Sequence, residues 1–83
     1  MSPEKSAAEL RSMKEILQWA IKREEASYAF YLQAKQLSRT PAEADLFDFL
    51  AKQELDHKTA LVEQLELIEA QVDIDRALSY DVY

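Results

Sequence analysis

Apolar residues recur every three or four positions along two long stretches of the chain, a spacing typical of amphipathic helices. The pattern predicts a helix over about residues 7–38 and a second over about residues 41–71. Asp73 or Asp75 provides a start signal for a short C-terminal helix over about residues 74–80. The chain is therefore predicted to be all-α and to form a single domain over residues 1–83.

The break between the two long helices carries a clear restart signal. Thr40 and Glu43 have the spacing of a capping box, and Pro41 stands at the first helical position, where its missing N–H costs nothing. A break this short brings the helices back against each other. We therefore expect an antiparallel two-helix hairpin.

The first helix is apolar on two sides. Besides the main stripe, it carries a second strip displaced from that stripe by about 120° to 140°. This second strip consists of Trp19, Phe30 and Leu37. Because a helix that is apolar on two sides contacts more than one neighbour, the pattern predicts a homo-oligomer, a dimer or a higher even-numbered assembly. Two hairpins would pair into a four-helix bundle.

Three polar residues interrupt the apolar stripes. Glu24 lies at the centre of the first stripe, whereas Glu25 is about 100° away at its edge. Glu54 is central to the second stripe, and His57, the only histidine, lies about 60° from it. We therefore expect Glu24, Glu54 and His57 to point between the helices.

These three residues also lie at the same height along the predicted hairpin. Glu24 is about 15 residues before the centre of the turn, and the midpoint of Glu54 and His57 is about 16 residues after it. At about 1.5 Å per residue the two sets differ in height by about 1 Å. The apolar pattern does not require this coincidence, so it indicates a shared site.

Two carboxylates and one imidazole suit a metal ion, but one hairpin supplies too few ligands for a metal pair. Two hairpins related by a twofold axis would supply four glutamates and two histidines, the ligand set of di-iron bundles. Four carboxylates would balance two divalent cations. We expect two iron ions per dimer, with manganese or zinc as substitutes that the same ligands accept.

Composition excludes several other classes of protein. With no cysteine, the chain has no disulfide, no zinc–thiolate site and no four-cysteine rubredoxin iron site. A net charge of −6 argues against nucleic acid as a partner. No apolar run approaches the length needed to span a membrane, and the first residues lack a signal pattern, so a cytoplasmic location is expected.

Two stretches, Glu15–Tyr31 and Phe47–His57, resemble the rubrerythrin-like branch of the ferritin-like superfamily. The resemblance implies a ferritin-like bundle in which Glu24, Glu54 and His57 bind the metal. It also implies that Tyr31, seven residues after Glu24, hydrogen-bonds a ligand carboxylate. Tyr28, on the same stripe, is a second candidate neighbour of the ligands. For both tyrosines, packing in the core is the alternative.

The chain is similar to a half-length form of that family, with one helical hairpin instead of two. Encapsulated ferritin-like proteins, which it resembles in this respect, place their iron site between subunits. An encapsulin shell is therefore a possible partner, although the tail from Ser79 to Tyr83 shows no obvious docking extension. The expected activity is the reaction of Fe(II) with dioxygen or peroxide, as a ferroxidase or a rubrerythrin-like peroxidase. Iron storage within a larger shell is a further possibility.

A metal-free interpretation explains the same residues differently. Glu54 could pair with Lys58 one turn further along the helix, and His57 could be a hydrogen-bonded core histidine. The chain would then be a helical interaction module that dimerises, or binds a partner, through Trp19, Phe30 and Leu37.

Overall fold

The computed structural model describes the backbone of residues 7–81 and the side chains of residues 12–78. Within residues 7–81 the chain forms two α-helices and no strand. Helix α1 spans Ala7–Gln36 and helix α2 spans Pro41–Asp81, and the two pack against each other as a hairpin. The prediction of an all-helical hairpin is confirmed. Helix α1 ends at Gln36 rather than at Ser38.

Hydrogen bonds at the turn end α1 and start α2. The Ser38 N–H donates to the Lys35 carbonyl at 3.0 Å, an i to i−3 bond that tightens the chain as it leaves α1. At the start of α2, the Glu43 N–H donates to Thr40 Oγ1 at 3.2 Å. The Glu43 carboxylate in turn accepts from the Arg39 N–H at 3.1 Å. Thr40 and Glu43 thus cap α2 as the sequence predicted.

Three ion pairs between α1 and α2 define the register of the hairpin. They are Lys35–Asp48 at 2.9 Å, Glu25–Lys58 at 2.8 Å and Lys14–Glu69 at 3.3 Å. In each pair the two residue numbers add up to 83, which is the signature of two antiparallel helices in one constant register. The long helices therefore hold their side chains at matched heights from the turn outwards.

The prediction of a separate C-terminal helix over residues 74–80 is wrong, because α2 continues without a break to Asp81. Gln71 Nε2 donates to Asp75 Oδ1 at 3.0 Å, across the position where the break was predicted. No glycine or proline follows Pro41, and an aspartate alone does not stop a helix. The side chains of the tail from Ser79 to Tyr83 lie outside the described residues, and so does the prediction about its docking role.

The two faces of the hairpin differ in character. Because α1 and α2 run in opposite directions, residues rotated in the same sense from the line of contact lie on the same face. The three ion pairs lie on one face, the ion-paired face. The opposite face, the apolar face, holds nine of the eleven large hydrophobic side chains that are exposed among the described residues. These nine are Ile16, Trp19, Phe30, Leu37, Leu46, Phe49, Leu67, Ile74 and Leu78.

The hairpin alone buries little of its apolar surface. Among the described hydrophobic residues only Ala51 is buried, with 3% of its surface exposed. The radius of gyration is 18.9 Å, against about 12 Å expected for a compact domain of this length. The accessible surface is 6784 Å², against about 5,100 Å² for a compact monomer of the same mass. Water therefore contacts far more of this chain's surface than it does in a compact domain of the same mass.

Neither described helix combines the length and the apolar character needed to cross a membrane.

Candidate metal centre

The three polar residues predicted to point between the helices lie together at mid-length of the hairpin. Glu24 comes from α1, and Glu54 and His57 come from consecutive turns of α2. One possible ligand atom from each side chain lies within 4.8 Å of the other two. His57 Nδ1 is 3.6 Å from Glu24 Oε2, a contact between the helices. The structure thus brings these residues together, but His57 is exposed to solvent, whereas the sequence predicted that it would point between the helices.

The two carboxylates differ from the imidazole in exposure. The Glu24 side chain is 23% exposed, whereas His57 is 63% exposed. His57 is rotated by about 60° from Glu54 towards the apolar face. The Glu24 carboxylate is therefore less exposed to solvent than the His57 imidazole.

No ion pair with a lysine or an arginine neutralises Glu24 or Glu54 within the described residues. Glu24 Oε2 is buried and has no hydrogen-bond partner. A buried polar atom without a partner costs free energy, so its presence calls for an explanation. Within the described residues Glu24 contacts only the histidine as a potential cation, and Glu54 forms no ion pair with lysine or arginine.

The pKa of Glu54 is raised above its ordinary value. The largest cause is the hydrogen bond that its protonated carboxyl makes with Glu24. Burial and the negative charge of Glu24 raise the pKa further, and His57 lowers it. Two carboxyl groups this close cannot both ionise without cost. Either a proton or a cation is needed between them.

Lys58, one turn further along α2 than Glu54, does not pair with it. Its Nζ lies 2.8 Å from Glu25 Oε2 on the other helix. The ordinary i,i+4 ion pair between Glu54 and Lys58 is therefore absent. The Glu25–Lys58 pair was not predicted from the sequence, because the i,i+4 spacing relates residues of one helix only. The antiparallel register, which also pairs Lys35 with Asp48, was the signal that could have revealed it.

Two open hollows reach the carboxylate pair from opposite faces. The hollow that opens on the apolar face, called the apolar hollow, has a volume of about 300 Å³. It places Trp19, Arg23 and Ser27 beside Glu24 and Glu54. Within it the Arg23 guanidinium lies over the Trp19 ring, 5.0 Å from its centre.

The ion-paired hollow, of about 260 Å³, places Glu25, Tyr28, Leu55 and Lys58 beside the same two carboxylates. The carboxylate pair is therefore the layer that separates the two faces of the hairpin.

The two candidate tyrosines occupy different surroundings. Tyr28 lines the ion-paired hollow together with the carboxylates. The Tyr31 ring stacks on Phe47 with centroids 6.5 Å apart, and meets the edge of Phe30 at 5.5 Å. Within the described residues no hydrogen bond joins the Tyr31 hydroxyl to a ligand carboxylate. Roles for Tyr28 and Tyr31 beside a bound metal stay predictions.

Comparison with known proteins identifies one family. Residues 3–80 match the family described as Rubrerythrin, a match that covers nearly the whole chain. No curated protein and no solved structure matches the chain.

The raised pKa of Glu54 predicts how the stability of the metal-free protein depends on pH. Folding favours the protonated carboxyl, so this contribution is complete below the ordinary pKa of about 4.5 and is lost as pH rises through the raised pKa. The free energy of unfolding of chelator-treated protein should therefore fall between about pH 4.5 and pH 7. In Glu54→Gln, which cannot ionise there, the fall should be smaller.

Urea denaturation at both pH values measures this difference. Glu66→Gln, which alters an exposed carboxylate of the same helix, is the matched control and should keep the wild-type pH dependence. Equal pH dependence in Glu54→Gln and the wild type would show that no proton is shared at the site.

Proposed function

The chain belongs to the rubrerythrin family, which typically binds iron, and on that premise we propose that it is a di-iron carboxylate protein. Glu24, Glu54 and His57 would hold the iron, and a second copy of the chain would complete the site. The observation that carries this proposal is the convergence of three possible ligand atoms within 4.8 Å.

The residues present fit a divalent cation. A bound cation would satisfy the buried Glu24 Oε2, which has no hydrogen-bond partner, and would offset the negative charges of Glu24 and Glu54. Carboxylate and imidazole are ligands that suit Fe(II), and they also accept Mn(II) and Zn(II). Lys58, one turn along α2 from Glu54, is already paired with Glu25, so it does not compete for the site.

One chain supplies only half of the expected ligand set. Di-iron bundles use four glutamates and two histidines, and the cluster described here has two glutamates and one histidine. A twofold axis beside the site would double this set. His57 lies towards the apolar face, so a second copy packed on that face would bring its own three residues to the same place.

The surface of the hairpin supports this arrangement. The chain exposes about 1,700 Å² more than a compact monomer of its mass, or about 3,400 Å² for two copies, and permanent homodimer interfaces bury about 2,000–5,000 Å² in total. Most of the exposed large hydrophobic side chains lie in the apolar strips of both helices, including Trp19, Phe30 and Phe49. Pairing two apolar faces would remove these side chains from water and form the four-helix bundle.

Bound iron would supply one-electron redox chemistry towards dioxygen or peroxide, so the proposed activity is that of a ferroxidase or of a rubrerythrin-like peroxidase. The protein's own contribution is to hold the carboxylates of Glu24 and Glu54 in place before the cation arrives. The exposed imidazole of His57 lies towards the face that the partner would cover.

A metal-free dimerisation module is the second candidate, and the exposure of Trp19, Phe30 and Leu37, at 60%, 62% and 80%, supports it. It explains the apolar face but leaves the two adjacent carboxylates without a purpose. In this alternative, replacing Glu24 and His57 by leucine would stabilise the protein, because burying two charged or polar groups costs free energy. In the iron protein the same change would remove the stabilisation that bound iron provides.

Anaerobic titration with Fe(II) tests the proposed site. The wild type should bind about one iron ion per chain, as expected for two per dimer. Glu54→Ala should lose this saturable binding, because it removes a ligand from both halves of the site. Glu66→Ala removes an exposed carboxylate from the same helix and should bind as the wild type does. Unchanged binding by Glu54→Ala would refute the assignment.

The role of the apolar face is tested by Phe30→Glu, with Leu32→Glu as its control. Both residues are exposed large hydrophobics of α1, but only Phe30 lies on the apolar face. Analytical ultracentrifugation should show a dimer for the wild type and Leu32→Glu, and a 9.6 kDa monomer for Phe30→Glu. Iron affinity should fall at least about tenfold in the monomer, because half of the ligands leave with the partner. A Phe30→Glu monomer with wild-type iron affinity would contradict the shared site.

A further inference from the structure

The ion-paired hollow is the opening to the carboxylate pair that a second copy would leave free. In the dimer proposed above, the apolar hollow with Trp19 and Arg23 is covered by the partner. The ion-paired hollow opens on the opposite face and reaches Glu24 and Glu54 directly. The inference that follows rests on the proposed function, because it concerns how that site is filled.

One ion pair forms the rim of this hollow. Glu25 Oε2 and Lys58 Nζ are 2.8 Å apart, and their side chains are 50% and 34% exposed. Both also line the hollow whose inner end is the carboxylate pair. A cation entering from solvent therefore meets Glu25 and Lys58 before it meets Glu24 or Glu54.

A second lysine–glutamate pair on the same face provides the comparison. Lys14 and Glu69 have the same chemistry and register, with the ions 3.3 Å apart. They also border a hollow, which contains Val72, Asp73 and Arg76. That hollow does not reach the carboxylate pair, and Lys14 lies about 15 Å along the helix from Glu24. An ion pair that only joins the helices is thus present elsewhere in the same molecule.

The geometry points to the ion-paired hollow as the route by which divalent cations reach Glu24 and Glu54, with the Glu25–Lys58 pair as its gate. Glu25 is the first carboxylate on the route and attracts the cation. Lys58 holds Glu25 and repels the cation until the cation replaces it as the partner of Glu25. The two residues therefore act on the rate of cation entry in opposite directions, although both belong to one ion pair.

This opposition separates a gate from a structural ion pair. A purely structural pair is broken equally by removing either partner, so both variants would alter the protein in the same way. A gate gives opposite results, because losing Lys58 removes repulsion and frees Glu25, whereas losing Glu25 removes attraction. The effect of charge on entry also weakens with salt, since the screening length falls from about 10 Å at 0.1 M to about 3 Å at 1 M.

Stopped-flow binding of Co²⁺ under nitrogen measures the entry rate without any oxidation. At about 0.1 M salt, Lys58→Gln should bind Co²⁺ about two- to threefold faster than the wild type, and Glu25→Gln about two- to threefold slower. The controls Lys14→Gln and Glu69→Gln should match the wild type. At 1 M salt the differences should shrink towards none.

A steric variant tests the route itself. Leu55→Trp narrows the hollow, since Leu55 is part of its lining, and should slow entry several-fold while the final absorbance stays the same. Leu32→Trp changes an exposed residue of α1 outside that lining, so Co²⁺ should enter this variant at the wild-type rate.

Each outcome has a distinct meaning. Rates that change in the same direction in Lys58→Gln and Glu25→Gln, or that equal those of the Lys14 and Glu69 controls, would overturn the gate. A wild-type rate in Leu55→Trp would overturn the route. In either case saturable Co²⁺ binding by the wild type would leave the proposed metal site standing. No saturable binding by the wild type would refute the proposed function and this inference together.

Discussion

The repulsion between two adjacent carboxyl groups is the constraint on which this structure depends. Glu24 and Glu54 face each other between the helices, and the buried Glu24 Oε2 has no hydrogen-bond partner. The hydrogen bond with Glu24, burial and the negative charge of Glu24 all raise the pKa of Glu54. Placing two carboxyl groups side by side between the helices lowers the stability of the metal-free protein. Cation binding is the role that best accounts for that cost.

Dimerisation would both cover the exposed apolar face of the hairpin and complete the ligand set of the site. Most of the large hydrophobic residues that one copy exposes lie on its apolar face, and one copy offers only three ligands. Packing two apolar faces together would bury these hydrophobic residues and double the number of ligands. Assembly and metal binding would then stabilise each other, since the ions hold the bundle together and the bundle completes their coordination.

Much of the hairpin and the grouping of the site residues could be predicted from the sequence. Helical phase and distance from the turn were sufficient to bring Glu24, Glu54 and His57 together, because long antiparallel helices preserve both quantities. The capping box of Thr40 and Glu43 depends only on local spacing, so it too was predictable. These features follow from short-range geometry repeated along regular helices.

Other features depend on competition between interactions that a pattern does not rank. Asp73 and Asp75 could have capped a new helix, but the bond from Gln71 to Asp75 belongs to a continuous one. Lys58 could pair with Glu54 or Glu25, and the lateral fit of the helices selects Glu25. The Tyr31 ring packs on Phe47. Contacts between aromatic rings, rather than a hydrogen bond of its hydroxyl, therefore determine its position.

Anomalous diffraction at the iron absorption edge from crystals of the iron-loaded protein tests the central claim most directly. The account predicts two peaks about 3.5–4 Å apart, lying between Glu24, Glu54 and His57 of one chain and the same residues of its twofold mate. A crystal in which iron lies elsewhere, or in which one chain alone encloses a single ion, would contradict it.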